Sequence, residues 1–221
     1  MRRMREATRR LLATPPVHLL VRALRPDPVF QIGFNKCGTT SLHRFLLASG
    51  IRSLHWADGL MAERMIARMD AGRDPLRDFP QTIGFADMIA IRLGRLVEPY
   101  KRFDYLHRWY PDALFILNTR DRENWISSRA AHELGGYRLL AVYARCLAIS
   151  EAQVPNFWRA EWESHHALVR AYFGSAPNFL EFNIESDDPQ ELLAFIARRY
   201  PQCATTAFGV HNQRKQSLPG E

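Results

Sequence analysis

The stretch Val29-Phe-Gln-Ile-Gly-Phe-Asn-Lys-Cys-Gly-Thr-Thr-Ser-Leu42 constrains the fold more than any other part of the chain. The apolar run Val29 to Ile32 reads as a buried strand. Gly33, Lys36 and Gly38 follow, then the hydroxyls of Thr39, Thr40 and Ser41, then Leu42, Phe45 and Leu46 at helical spacing. Strand, glycine loop and helix start come in that order. Such an arrangement aims successive backbone N–H groups and the positive end of a helix dipole at one point, which suits a phosphate.

The loop is not the ATP- and GTP-binding one, in which two glycines with four residues between them are followed by lysine and then serine or threonine. Aligned on Gly33 and Gly38, Thr39 stands where that lysine belongs, and the lysine is Lys36, three positions earlier. The scaffold suits an anion with the charge displaced.

Around the loop the pattern alternates. Helical spacing runs from Thr39 to Ala48, a strand or loop from Arg52 to Trp56, and a Met-rich amphipathic helix over 59–71 whose apolar side reads as core. A loop from Gly72 to Pro80 leads to a short strand, Gln81 to Ala86, ending at Asp87. Helical segments are expected from there to Trp109, then a turn and the strongest strand, Ala113 to Asn118. Beyond it come a helix over Arg122 to His132, a break at Gly135-Gly136, helices over 137–150 and 155–173, a strand over 178–183, and a last helix, Pro189 to Arg199. Strands separated by helices predict an α/β fold, a three-layer sandwich with a central parallel sheet and helical insertions. Ligands of such sheets bind beyond the carboxyl ends of strands, where the loop after Ile32 and the residues after Asn118 should both lie.

The second informative stretch is Phe115-Ile-Leu-Asn-Thr-Arg-Asp-Arg-Glu-Asn-Trp-Ile-Ser-Ser128. The strand delivers Arg120 at its end, Asp121 can cap the next helix, and Ser128 lies about two turns on. Arg120 and Ser128 either grip one compact anion together, or pair with a sheet-end carboxylate and face solvent respectively. A metal-dependent nucleotidase wants an aspartate at this strand end to organise Mg²⁺. Asn118 stands there instead, so no metal is expected.

These two motifs resemble those of the sulfotransferase family that uses 3'-phosphoadenosine 5'-phosphosulfate, the small bacterial type with a P-loop-like fold. The first, Lys36-Cys37-Gly38-Thr39-Thr40, is similar to that family's 5'-phosphosulfate loop. The second is similar to its 3'-phosphate motif, with Arg122 in place of a frequent proline. Ser53-Leu-His-Trp56, Gly84-Phe-Ala-Asp-Met88, Tyr110-Pro-Asp112 and Leu180-Glu-Phe-Asn-Ile-Glu185 extend the resemblance over roughly residues 28 to 200. That span is read as the domain, with a basic helical segment over 1–27 before it and a tail over 201–221 after it.

The resemblance implies sulfuryl transfer from that nucleotide to a hydroxyl, with Lys36, Cys37, Gly38, Thr39, Thr40, Ser41, Arg120 and Ser128 holding the donor. Sulfuryl transfer needs a base for the acceptor proton and stabilisation of charge on the transferring group and the leaving oxygen. Lys36 is the candidate for the charge. Asp87 is the candidate base, in the place where the resembling proteins have an acidic residue, unless it caps a following helix. His55 is the second candidate, unless it is a core histidine beside Trp56. His132 reads either as a contact to nucleotide or acceptor or as exposed. His211-Asn-Gln-Arg-Lys215 reads as a late basic loop over the 3'-phosphate or as tail. Cys37 is a reactive thiol or a small residue fitting a tight turn, and Trp56, Trp158 and Trp162 are a sugar or lipid platform or core.

Composition narrows the remainder. A chain of 221 residues with 47% apolar and 24% charged residues suits one soluble globular domain. The formal charge of +7 fits an anionic ligand, an acidic acceptor or a membrane surface. The basic residues are spread or N-terminal rather than interleaved with aromatics, so nucleic acid is not the expected partner. Three scattered cysteines suit neither a disulfide framework nor a zinc site, and a cytoplasmic setting is simplest. No apolar run reaches a membrane span, but the arginines of residues 1–27 allow peripheral contact with the inner membrane surface. The acceptor reads only as hydroxyl-bearing, a carbohydrate, lipid or small molecule. A nucleotide or small-molecule kinase of related fold and a noncatalytic nucleotide-binding module are the alternatives.

Overall fold

Alternating residues of the central strands point to opposite faces, and both faces are apolar. Val29, Leu114 and Ile116 face one way, Phe30, Phe115 and Leu117 the other, and all are buried. A sheet with two apolar faces needs a layer on each, which a parallel sheet with helical crossovers provides. The structure is a computed structural model that describes residues 25–92, 94–134 and 137–209. Residues 1–24 of the basic N-terminal segment, the Gly135-Gly136 break and the loop His211 to Lys215 lie outside the described residues.

In chain order the strands are β1 (Val29–Gln31), β2 (Ser53–His55), β3 (Gly84–Ala86), β4 (Ala90–Arg92), β5 (Arg95–Val97), β6 (Leu114–Thr119), β7 (Glu133–Leu134), β8 (Tyr137–Arg138) and β9 (Phe179–Asn183). The helices are α1 (Thr39–Ala48), α2 (Leu60–Asp70), α3 (Phe103–Trp109), α4 (Arg122–Ala130), α5 (Leu139–Leu147), α6 (Val154–Phe173) and α7 (Pro189–Ala197). The main sheet has the order β2-β3-β1-β6-β9, all parallel, with Val29 opposite both Gly84 and Leu114 and Phe115 opposite Phe179. The expected central parallel sheet between helical layers is present.

On one face α1 and α7 bring Leu42, Phe45, Leu46, Leu192, Leu193, Phe195 and Ile196 against Val29, Leu114 and Ile116. On the other, α2 to α6 cover Phe30, Phe85 and Phe115 with a cluster that includes Met61, Met65, Trp125, Trp158 and Trp162. Each large apolar side chain so buried contributes roughly 1.5–3 kcal/mol, so the two layers are what hold the strand ends in place. Met65 and Met69 are core, as their spacing predicts.

The expected helix between Asp87 and Trp109 is only half right. Ala90 to Arg92 and Arg95 to Val97 form an antiparallel hairpin, with Ile91 opposite Leu96, before a 3₁₀ turn over Pro99–Arg102 and then α3. Apolar residues at 90, 91, 96 and 97 satisfy both periods, and packing of Ile91 and Leu96 on the main core decides for the hairpin. A second small antiparallel pair, β7 with β8, separates α4 from α5.

Candidate active site

The first loop is built by an amide from a distant strand. Asn118, 2% exposed at the end of β6, accepts from Gly33 N at 2.9 Å and donates through Nδ2 to Phe34 O and Cys37 O, both at 3.0 Å. One side chain thus ties both ends of the turn. A Cβ on Gly33 would stand 2.1 Å from the backbone oxygen of Asn118, which rules out a side chain there, and one on Gly38 would be strained by φ +80° and would have to displace Ile184 Cδ1 at 2.0 Å. Between them Phe34 turns into the core, stacked on Trp162. Asn35 accepts at Oδ1 from Arg129 Nε at 2.9 Å and at its carbonyl from Trp125 Nε1 at 3.0 Å. With its neighbours anchored, Lys36 is held at φ +66° and is half-buried.

The helix after the loop, α1, supplies neither a side-chain cap nor a carboxylate of its own at its positive end. Thr39 Oγ1 lies 3.0 Å and Thr40 Oγ1 3.4 Å from His55 Nε2, whereas Ser41 is fully buried. Of the three hydroxyls grouped in sequence, those of Thr39 and Thr40 therefore meet at His55. Cys37 is 1% exposed, and burial pushes its thiol above the ordinary range, so it is the small residue of a tight turn rather than a reactive one.

β2 and β3 end side by side, His55 opposite Ala86, and bring both candidate bases together: His55 Nε2 is 3.7 Å from Asp87 Oδ2. No helix follows Asp87. It sits at φ +53°, its carbonyl accepts from Ile89 N at 2.8 Å, and the chain goes into β4, so it is not a cap. Its Oδ1 is buried with no hydrogen-bond partner among the described residues. Burial raises the Asp87 carboxyl to about 6, with the positive charges of Arg129 and Lys36 pulling it back. Burial, and then His43, lowers His55 to about 4. An ion pair would shift both the other way, so at neutral pH the contact is a neutral imidazole beside a carboxylate. Trp56, Ala57 and Asp58 also lie at positive φ, which concentrates backbone strain beside this pair.

On the other side of the loop, Arg120 donates from Nη1 to Lys36 O at 3.2 Å and from Nη2 to Glu185, while its Nε is buried with no partner among the described residues. Asp121 caps α4, accepting from Asn124 N at 2.8 Å. Ser128, half-buried, lies one turn beyond Asn124 on the same helix face. The loop and Arg120 are therefore directly joined, and the sheet-end carboxylate that sequence left as an alternative partner exists as well. His132 follows α4; burial and the charges of Lys36 and Arg129 lower its pKa, which puts it within electrostatic reach of the loop.

The structure adds residues that sequence reading passed over. Arg129 is 1% exposed, donates to Asn35 and Tyr143, and lies under the rings of Trp125, Trp158, Tyr143 and Phe34. An arginine in a helix with alternating charges carries no signal of burial. His165 donates from Nε2 to Ile32 O at 2.7 Å, and His166 bonds Trp162 O and Thr119 Oγ1, pinning α6 to the ends of β1 and β6. Trp158 and Trp162 are 0% and 7% exposed, which makes them core and not a platform for sugar or lipid. Among the described residues, no group of three or more His, Cys, Asp or Glu side chains could hold a metal ion, and no helix is long and apolar enough to cross a membrane.

The site is thus an anion-suited loop at the carboxyl ends of parallel strands, with an arginine on one side and a histidine–carboxylate pair on the other. No curated protein matches the chain. A model of the sulfotransferase domain matches residues 28–217, nearly the whole chain and both halves of this site. The chain belongs to the sulfotransferase domain family.

Proposed function

We propose that the protein moves a sulfuryl group from 3'-phosphoadenosine 5'-phosphosulfate to a hydroxyl on a carbohydrate, lipid or small-molecule acceptor, in line and without a metal. The observation that carries this reading is the uncapped start of α1 beside Lys36, with Arg120 bonded to the loop on one side and Asp87 with His55 on the other. The donor's chemistry fits the residues present. The loop N–H groups of Cys37 to Ser41, with the hydroxyls of Thr39 and Thr40, suit a 5'-phosphate, and the buried Nε of Arg120, without a partner among the described residues, suits a second anion, with Ser128 farther along α4. The bound donor would supply an activated sulfuryl group on a phosphate leaving group.

The chain's own residues then have distinct tasks. The Lys36 ammonium, at a loop position anchored on both sides, stabilises charge that builds on the leaving oxygen. Asp87, ionised above about pH 6, accepts the acceptor's proton at a carboxylate oxygen. Neutral His55 orients the loop hydroxyls of Thr39 and Thr40. Asn118 is committed to the loop carbonyls, so the strand end offers an amide where a metal-dependent phosphoryl transferase uses a carboxylate. The proposed setting is the cytoplasm, with residues 1–27 as a contact to the inner membrane surface.

Thermal shift tests this reading. The phosphosulfate donor and adenosine 3',5'-bisphosphate are expected to stabilise the protein without metal, and ATP with Mg²⁺ is not. Stabilisation by ATP only when Mg²⁺ is present would overturn it in favour of phosphoryl transfer. In a donor-labelled transfer screen, Lys36→Ala is expected to lower kcat by about 10²-fold or more while donor affinity changes less. Unchanged turnover removes Lys36 from the chemistry.

A further inference from the structure

The anion site at Arg120 already holds an anion of the protein's own. Glu185 lies two residues past β9, 31% exposed, and its carboxylate gathers donors from three residues: Arg120 Nη2, Asp121 N at 2.8 Å, and Asn124 Nδ2 at 3.3 and 3.4 Å from its two oxygens. The backbone N–H is the one just before α4, and the arginine is the residue bonded to the Lys36 carbonyl. A phosphate reaching this guanidinium meets a resident ligand of the same sign of charge that already uses the same N–H donors. Burial would raise the Glu185 carboxyl, but the Asp121 N–H and Arg120 hold it below its ordinary value, so it is charged at neutral pH.

We infer that Glu185 competes with the nucleotide's 3'-phosphate for Arg120, weakening the contribution of that phosphate and speeding loss of the bisphosphate product. The inference rests on the donor reading above and deepens it. Arg120 is 24% exposed, so both it and Glu185 can be approached from solvent. Glu185 also holds the guanidinium near the loop, so the same residue aligns Arg120 and limits how tightly it grips.

Calorimetric titration of adenosine 3',5'-bisphosphate and adenosine 5'-monophosphate against the full chain separates the 3'-phosphate from the rest of the nucleotide. In Glu185→Gln the bisphosphate is expected to bind about tenfold tighter, with the monophosphate unchanged, and the product inhibition constant to fall in the same ratio. Glu185→Ala removes the same charge by a different shape and gives a second reading should the glutamine variant fold poorly; thermal melting reports folding. An unchanged bisphosphate-to-monophosphate ratio, or weaker bisphosphate binding, in a folded variant overturns the inference and makes Glu185 a support for Arg120 alone. Wild-type protein that binds neither nucleotide overturns the donor reading and this inference together. Tight bisphosphate binding by wild type with no change in the variants overturns only the inference.

Discussion

Asp87 is a carboxylate that the fold disfavours in its charged form. Its raised pKa means that its contribution to stability is fully present below the unfolded value of 3.8 and is lost as pH rises through about 6. Asp87→Asn is therefore expected to be more stable than wild type at pH 8, by at most about 3 kcal/mol, with the gap closing between about pH 6 and pH 4. Urea denaturation at several pH values measures it. Activity should move the other way: wild-type kcat/KM falls below about pH 6, and the variant loses about 10²-fold or more. His55→Ala is expected to keep the inflection near pH 6, because His55 titrates near 4. If the inflection vanishes in His55→Ala and survives in Asp87→Asn, the two residues exchange roles. Asp87 was visible in sequence as a polar residue at a strand end; its contact with His55, 32 positions away in the chain, depends on β2 pairing with β3.

At the scale of elements, the strand–loop–helix unit is complete only when β6 lies beside β1. Asn118 serves one N–H and two carbonyls of the loop, and an alanine there leaves all three buried groups without this partner. Each such loss costs about 1–3 kcal/mol, so Asn118→Ala is expected to lower stability by roughly 3 kcal/mol or more, read from the urea midpoint. Asn118→Asp should be worse, because a carboxylate cannot donate to Phe34 O and Cys37 O. An aspartate variant as stable as wild type would show that the amide is not the clamp. The loop itself was legible because its residues are consecutive. The hairpin of β4 and β5 was not, since a short apolar run fits two periods and only contact with the core selects one.

At the scale of the whole molecule, a polar chain connects the loop to the 3₁₀ turn that precedes α3. It runs from Asn35 through Arg129 and Tyr143 to Glu98, which also takes Tyr100 at 2.6 Å and Lys101 at 2.7 Å. Removing Arg129 leaves Asn35 Oδ1 and the Tyr143 hydroxyl without their buried donor, at about 1–3 kcal/mol each, while Glu98 keeps Lys101. Arg129→Met, which keeps the volume against the four rings, is expected to be destabilised on that order. It should also move the activity inflection of Asp87 upward, because Arg129's charge holds that carboxyl down. An inflection that stays in place in a folded variant would show that the network carries no field to the site.

The sequence by itself determined the α/β class, the strand–loop–helix around Lys36, and the end of β6 that presents Arg120, since periodicity and turn chemistry act over a few neighbouring residues. Tertiary structure alone decided the partners: Asn118 on Gly33 across 85 positions, Glu185 on Arg120 across 65, His55 beside Asp87, and Arg129 buried under aromatic rings. The reason is physical. A buried polar group is satisfied by whatever donor or acceptor the packed layers bring to it, and that choice is made by strand order and helix docking rather than by local pattern.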